Sequence, residues 1–397
     1  MIQPDFDTFE GELYGCLTEN ILPYWRDKMT DSDGEGYYGR RDGYDRLHPD
    51  AERGAILNGR ILWTFASAYK AMGNPADLAG ARRAYDYIRN YFVDKEFGGV
   101  YWSVNADGTP ADTKKQFYAL AFMIYGLSAY YDVTADKEAL DLAISLFRCV
   151  ETYSRDRKKG GYIEATTRDW QPIADMRLSE KDANTSKTMN THLHILEAYT
   201  ALLKVWRTPE LVEAQRSLIE TFLDRIIAPE TNHMRLFFDD DWHASDSTIS
   251  YGHDIEASWL LLEAAAELGD EAVIERVKGA TLKLALASLE GYSPDGSMIY
   301  ERHSSGELDM ERHWWVQAET VVGLLWLAKY HDRPEARKLA ECTWRYISEN
   351  LLDEECGEWY WSRLADGSIN RRDDKAGFWK CPYHNGRMCL EALKLSR

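Results

Sequence analysis

A Gly/aromatic segment recurs six times along the chain: "DGEGYYGRRDGY" (33–44), "EFGGVYWSVNADG" (96–108), "KGGYIEATTRDW" (159–170), "TNHMRLFFDDDW" (231–242), "PDGSMIYERHSSG" (294–306) and "ECGEWYWSRLADG" (355–367). Each copy has a short alternating aromatic strand and then a turn of Asp-Gly, Arg-Asp or Ser-Gly type, which is β-hairpin chemistry. Taking Gly36, Gly99, Gly161, Met234, Ser297 and Glu358 as equivalent, successive copies lie 63, 62, 73, 63 and 61 residues apart. Such a period confines the fold to an array or ring of similar units.

Between the hairpins the pattern is helical. One helix follows each hairpin, over 57–70, 115–131, 189–205, 251–268, 313–329 and 382–395. These segments are apolar around most of their circumference, as in "LWTFASAY" and "VVGLLWLA", so they are expected to be buried on all sides. A second, amphipathic and charged helix completes most units, over 77–92, 137–153, 210–227, 271–288 and 335–350, with about 7–28 supplying the sixth. An open array needs polar caps at its end repeats. Here the last inner helix is as apolar as the rest, and docking on the first unit would cover it. The expected fold is therefore all-α: a closed (α/α)6 barrel of six inner and six outer helices, with short β-hairpins at one end. Residues 1–397 then form a single catalytic domain.

Charge and composition narrow the ligand. Net charge is −19 and the basic clusters, such as Arg155-Asp156-Arg157-Lys158-Lys159, are short and interrupted. No basic stripe is available for nucleic acid, and polyanions or an anionic membrane surface are disfavoured. Aromatic residues reach 13%, with 14 Trp and 24 Tyr, and aromatic faces stack on the apolar faces of sugars or other rings. A neutral small-molecule ligand fits best. The six cysteines (Cys16, Cys149, Cys342, Cys356, Cys381 and Cys389) show no zinc spacing, and the acidic N-terminal stretch lacks a signal pattern. No apolar run approaches the roughly 18 residues of a membrane span. These features lead us to expect a cytoplasmic protein with reduced thiols, a monomer or weak homo-oligomer.

In a closed barrel the starts of the six inner helices converge on one cavity. They carry Arg60, Tyr118, His192 with His194, His253 with Glu256, Trp315 with Gln317 and Glu319, and His384 with Arg387; His313 begins another. The pattern His-x-x-Glu-Ala occurs twice, from His194 and from His253, and its spacing puts both members on one helix face. His192 and His194 lie roughly 200° apart on a helix, so one of them faces elsewhere, and the register favours His194 for the lumen. A lone histidine near a helix start is usually structural; three at matching positions point to function. Arg60 could be a buried ion-pair partner or a substrate contact. Trp315 and Trp379 could be core or stacking platforms.

Several near-neutral bases around an aromatic-lined cavity suit proton transfer at carbon. Removing the proton α to an aldehyde gives an enediolate, whose oxygen Arg60 could stabilise. Return of a proton to the opposite face inverts the centre; return to the neighbouring carbon isomerises aldose to ketose. Glu256 would orient or polarise a histidine. A divalent metal on His, His and Glu is an alternative, but there is no HExxH or i, i+4 His pair, and the nearby Arg60 and Arg387 would repel a cation. No metal, nucleotide or other cofactor is expected. An inverting glycoside hydrolase built on Glu256 and Glu319, or a non-catalytic sugar-binding barrel, are the other readings; both leave the histidines without a purpose.

The chain resembles the N-acylglucosamine 2-epimerase superfamily over nearly its whole length, and within it the branch that acts on disaccharides. The stretches that carry the resemblance are "RGAILNGRILW" (53–63), "DTKKQFYAL" (112–120), "EKDAN" (180–184), "KTMNTHLHILEAY" (187–199), "SYGHDIEASWLL" (250–261), "RHWWVQAE" (312–319) and "WKCPYHNGRMCLE" (379–391). The resemblance implies an (α/α)6 barrel that needs no metal or nucleotide. It implies ring opening of a reducing-end sugar and epimerisation at C2 through a cis-enediolate, interconverting glucose and mannose at the reducing end of β-1,4-linked sugars. It makes His253 and His384 the acid/base pair and gives His194 a part in ring opening. It sets Arg60 on the oxygens near C1 and C2, has Glu256 support the site, and makes Tyr118, Asn190, Trp315, Glu319 and Trp379 substrate contacts. A monosaccharide or N-acylglucosamine 2-epimerase, or an aldose–ketose isomerase, would share this mechanism.

Overall fold

The computed structural model describes residues 8–32 and 34–396, and it is a closed (α/α)6 barrel. The inner helices are Ala55–Met72, Phe117–Thr134, Met189–Val205, Tyr251–Leu268, Trp314–Tyr330 and Tyr383–Leu395. Each packs against the inner helix before and after it, and the sixth packs against both the fifth and the first. That two-sided contact is why these segments are apolar all round. The outer helices Pro75–Tyr87, Lys137–Cys149, Pro209–Thr221 and Glu271–Ser288 start at Asn74, Asp136, Thr208 and Asp270, whose side chains accept from the first-turn backbone N–H groups. The fifth, Glu335–Asn350, begins after Pro334.

Three outer helices continue into π-helical turns, Ile88–Phe92, Val150–Ser154 and Phe222–Ile226, so each expected single helix is two segments. The expected first helix, about 7–28, begins outside the described residues at position 7. From Phe9 to Lys28 it is helical in short α and π pieces and packs on the sixth inner helix.

The hairpin turns form as the sequence predicts; the sheets do more. The two residues before an inner helix pair antiparallel with the hairpin of the next unit: Arg53–Gly54 with Ser103–Val104, Lys115–Gln116 with Ala165–Thr166, Lys187–Thr188 with Phe237–Phe238, Ile249–Ser250 with Glu301–Arg302, and Arg312–His313 with Ser362–Arg363. Bridges from Arg41 to both Leu47 and Ala376 repeat this pattern between the sixth unit and the first. That contact closes the ring.

The same bridges correct one equivalence. Tyr37, Val100, Tyr162, Met234, Met298 and Trp359 occupy matching rungs, so His233, not Met234, stands where Gly36, Gly99 and Gly161 stand. The long third interval arises from the segment between Pro172 and Lys187, which corresponds to the short link from Pro110 to Lys115 one unit earlier. It arches over the cavity described below.

Buried ion pairs rivet the units. Arg53–Asp31 (2.5 Å), Lys115–Asp94 (2.8 Å), Lys187–Asp156 (2.9 Å) and Lys375–Asp353 join the strand before an inner helix to the end of the preceding outer helix. Ala228 and Ile249 fill these places in the fourth unit, and Arg312 reaches Ser293 in the fifth. Indoles lock two of the joints. Trp170 and Trp242, both at positive φ in hairpin turns, donate to Phe97 O (2.8 Å) and Lys159 O (2.9 Å). A Cβ at Gly99 or Gly161 would lie 2.7 or 2.4 Å from those rings, so glycine is required there.

Candidate active site

The rim delivers its polar residues because, in five units, the strand ends at the residue immediately before the inner helix and turns the chain inward. Beneath the rim, four inner helices meet in one buried polar layer. Arg387, on the sixth, donates from Nη2 to Oε1 of Glu256 (2.7 Å) and Oε1 of Glu319 (2.6 Å), and from Nη1 to Glu197 and to the Tyr383 hydroxyl. Glu319 Oε1 also takes Nδ1 of His384 at 2.7 Å, and its Oε2 accepts from the Trp259 indole at 3.1 Å. Glu197 Oε2 lies 2.9 Å from Nδ1 of His194, and the Tyr383 hydroxyl lies 2.6 Å from both Glu197 oxygens. An ionised carboxylate only accepts, so Nδ1 carries the hydrogen in His194 and His384 and Nε2 keeps its lone pair.

His253 is held differently. Its Nδ1 meets Ser250 Oγ at 2.8 Å, and its ring packs on Trp315, centroids 4.6 Å apart. Trp315 in turn lies 5.6 Å from the His384 ring, so one indole contacts both histidines. Arg60 donates to the Tyr118 hydroxyl (2.9 Å) and to Trp379 O (3.3 Å), with its guanidinium 4.0 Å over Phe122. Tyr118 contacts the His194 ring at 5.0 Å and Trp379 at 6.3 Å. A cavity of about 730 Å³ opens above, lined among others by His253, Asn190, Tyr300, His313, Glu164 and Glu301, and by Leu178, Lys181 and Asp182 of the 172–187 segment.

Burial tunes the bases. It carries His253 down to about 3, helped by the neighbouring His194. Burial, then the Arg60 and Arg387 charges, hold His384 well below the ordinary histidine value. Burial also lowers His194, against the pull of Glu197. All three are neutral at pH 7. Glu256 goes the other way: burial and the Glu319 charge hold it well above the carboxylate range despite Arg387. Three acids share one guanidinium here, and their crowding favours a proton on Glu256. Glu164, in the cavity wall, is pushed by burial up to about 8, opposed by donation from Thr191 and Thr188.

Glu256, Glu319 and His384 bring ligand-type atoms within 4.8 Å of one another. Arg387 Nη2 already bonds both carboxylates, so what Glu256 and Glu319 bind is a guanidinium. The same closeness bears on hydrolysis: an inverting pair stands roughly 6.5–9.5 Å apart, with room for water between.

The family described as N-acylglucosamine 2-epimerase (GlcNAc 2-epimerase) matches residues 36–386. The chain belongs to the N-acylglucosamine 2-epimerase family. It is an enzyme of the isomerase class. The chain is 53% identical over 389 residues to a cellobiose 2-epimerase of Bacteroides fragilis, covering 98% of this chain and 99% of that one. It is 39% identical to a cellobiose 2-epimerase of Ruminococcus albus, covering 96% and 98%. The solved cellobiose 2-epimerase of Bacillus thermoamylovorans superposes with a TM-score of 0.93 at 38% identity, covering 98% and 99%.

Within this family framework several sequence expectations need correction. Glu256 does not accompany His253: it bonds Arg387, its nearest histidine contact is Nδ1 of His384 at 4.0 Å, and the His-x-x-Glu pair closes only at His194–Glu197. Glu319, expected as a substrate contact, has no exposed surface, and its oxygens are committed to His384, Arg387 and Trp259. His192 is structural, as its register suggests: Nδ1 meets Thr188 O at 2.6 Å and Nε2 accepts from Tyr162 N. Asp254 bonds His233 and Met234 N. Gln317 pairs with the Met298 backbone. Sequence reasoning assigns Arg387 no role beyond its charge, and misses Glu197 as a histidine partner, Tyr383 and Glu164. The repeated Glu-Ala of the two His motifs is a usable signal for Glu197.

Proposed function

We propose that the protein, acting as one catalytic domain over 1–397, epimerises the reducing-end glucose of β-1,4-linked disaccharides at C2, converting cellobiose to glucosyl-mannose. The names of its relatives supply the substrate, and a cavity of about 730 Å³ lies inside the roughly 300–1,000 Å³ range that encloses ligands of that size. The observation that carries the chemistry is two neutral histidines, half-buried His253 and buried His384, that share contact with the Trp315 ring.

The reaction needs an open-chain aldehyde. His194, held by Glu197, assists ring opening. One of His253 and His384, neutral, takes the C2 proton and becomes an imidazolium, giving a cis-enediolate. The other, charged beforehand by a proton from water, delivers that proton to the opposite face and returns to neutral, and the first then releases its proton to water. Arg60 places a guanidinium, which cannot lose its charge at working pH, where the enediolate oxygens develop. Tyr118, Asn190, Trp315 and Trp379 contact the sugar rings; Glu319 and Glu256 act through His384 and Arg387.

Incubation with cellobiose in D2O tests the scheme. NMR should find glucosyl-mannose with deuterium at C2. Turnover with no deuterium at C2 of either epimer would sink it. Free glucose released in step with substrate loss would favour hydrolysis, and a ketose product would favour the isomerase reading.

A further inference from the structure

We propose that Arg387 is a positioning residue that sets two of the reacting histidines at once, through Glu197 for His194 and through Glu319 for His384. This deepens the epimerase reading and rests on it for its kinetic arm.

Arg387 is 1% exposed, and a second cavity of about 400 Å³ reaches it past Trp63, Tyr125 and Glu263. Its Nη1 reaches Glu197 on the third inner helix, and its Nη2 reaches Glu256 on the fourth and Glu319 on the fifth. One planar group on the sixth helix thus ties four of the six inner helices at a single level. A guanidinium presents its N–H groups in a fixed fork, so the three carboxylates it grips, Glu197 and Glu319 among them, cannot rotate independently. Those two carboxylates also bind the Nδ1 atoms of His194 (2.9 Å) and His384 (2.7 Å). The forks are stacked: guanidinium to carboxylate to imidazole, on both sides of one residue. The Arg387 group itself is braced by ring faces, 4.2 Å over Tyr383 and 4.6 Å over Trp259.

The arrangement also fixes tautomers. Without the guanidinium, three buried acids would face one another, and carboxyls in that position take up protons. A protonated carboxyl can donate to Nδ1 instead of accepting from it. The hydrogen would then sit on Nε2, and the histidine would no longer offer a base to the cavity. Lysine at 387 would restore the charge but not the fork.

The test uses the full chain with Arg387→Met and Arg387→Lys, beside Glu197→Gln and Glu319→Gln. In the substrate-free protein, the Nδ1–H resonances of isotope-labelled histidines should change for His194 alone in Glu197→Gln and for His384 alone in Glu319→Gln. They should change for both in Arg387→Met. With cellobiose, kcat should fall about 10²-fold or more, as expected when reacting groups are misplaced, while KM stays within about threefold. Arg387→Lys should recover less than about a tenth of the loss. A folded Arg387→Met protein with kcat within about threefold of the parent, or with only one histidine resonance altered, overturns the proposal. If Arg387→Met fails to fold, Arg387→Lys supplies the same two readouts, and the same limits decide. The resonances are read without sugar, so an inactive parent would sink the epimerase reading while leaving them to decide on Arg387.

Discussion

Glu319 accepts from Nδ1 of His384 at 2.7 Å across an inter-helix joint, whereas Glu256, one turn after His253 on its own helix, turns away from it to Arg387. The two acid/base candidates are therefore held unequally: His384 by a carboxylate, His253 by the hydroxyl of Ser250. Glu319→Gln keeps the shape and removes the charge. It should lower kcat by about 10²-fold with little change in KM, and kinetics with cellobiose would check this. Unchanged kcat would remove Glu319 from the chemistry.

Direct loss of a base should be larger. His384→Asn and His253→Asn should each lower kcat by about 10²–10⁴-fold, the usual worth of a positioned acid or base. Solvent exchange separates the two. Whichever variant still washes deuterium into C2 of one epimer without forming the other retains the base for that epimer. An active His384→Asn protein would exclude it from proton transfer.

The buried histidines make stability depend on pH with a defined sign. His253 is depressed from the ordinary 6.5 to about 3, so between those values the unfolded chain binds a proton that the native site refuses. Stability contributed by the neutral ring is therefore lost progressively as pH falls from about 6.5 toward 3. His253→Asn should flatten that part of the curve in denaturant titrations. For the same reason the acid limb of kcat/KM should lie below pH 6.5 rather than at it.

Lys380 and Glu358 form a fully buried pair at 2.8 Å, and Glu358 also accepts from Trp25 Nε1 and Asn385 Nδ2. Lys380→Met would strand the carboxylate and should cost about 3–5 kcal/mol in unfolding experiments. Glu358 sits at φ 62°, where the first three units have glycine. Glu358→Gly thus suits the backbone yet strands Lys380, and it should also destabilise. If neither variant loses stability, the pair is dispensable.

Chelation should leave activity intact. Arg387 lies between the carboxylates of Glu256 and Glu319, the oxygens a metal would need. Loss of turnover in EDTA that added metal restores would show that another arrangement forms in solution.

The helices were legible because their burial is two-sided: "VVGLLWLA" has no polar face to mislead. The rim histidines were legible through their repeat positions. What period and spacing could not show was pairing between units. Lys115 and Asp94 are ordinary surface types by chemistry alone; only the fold of the hairpin between them brings them to 2.8 Å in the interior. The partner of His384 lies 65 residues away on another helix, and local spacing suggested Glu256 for His253 instead. Arg387 was inconspicuous for the same reason: its three acids come from three helices, each with its own local explanation.

The Arg41–Ala376 bridge and the packing of the sixth inner helix between the fifth and the first have a consequence for assembly. His384 and Arg387 ride on the sixth inner helix, and their seat is finished by the fifth and the first. A polypeptide that lacks the sixth inner helix cannot complete this polar layer. Competence for turnover and completion of the ring are one event, so an active molecule certifies its own integrity.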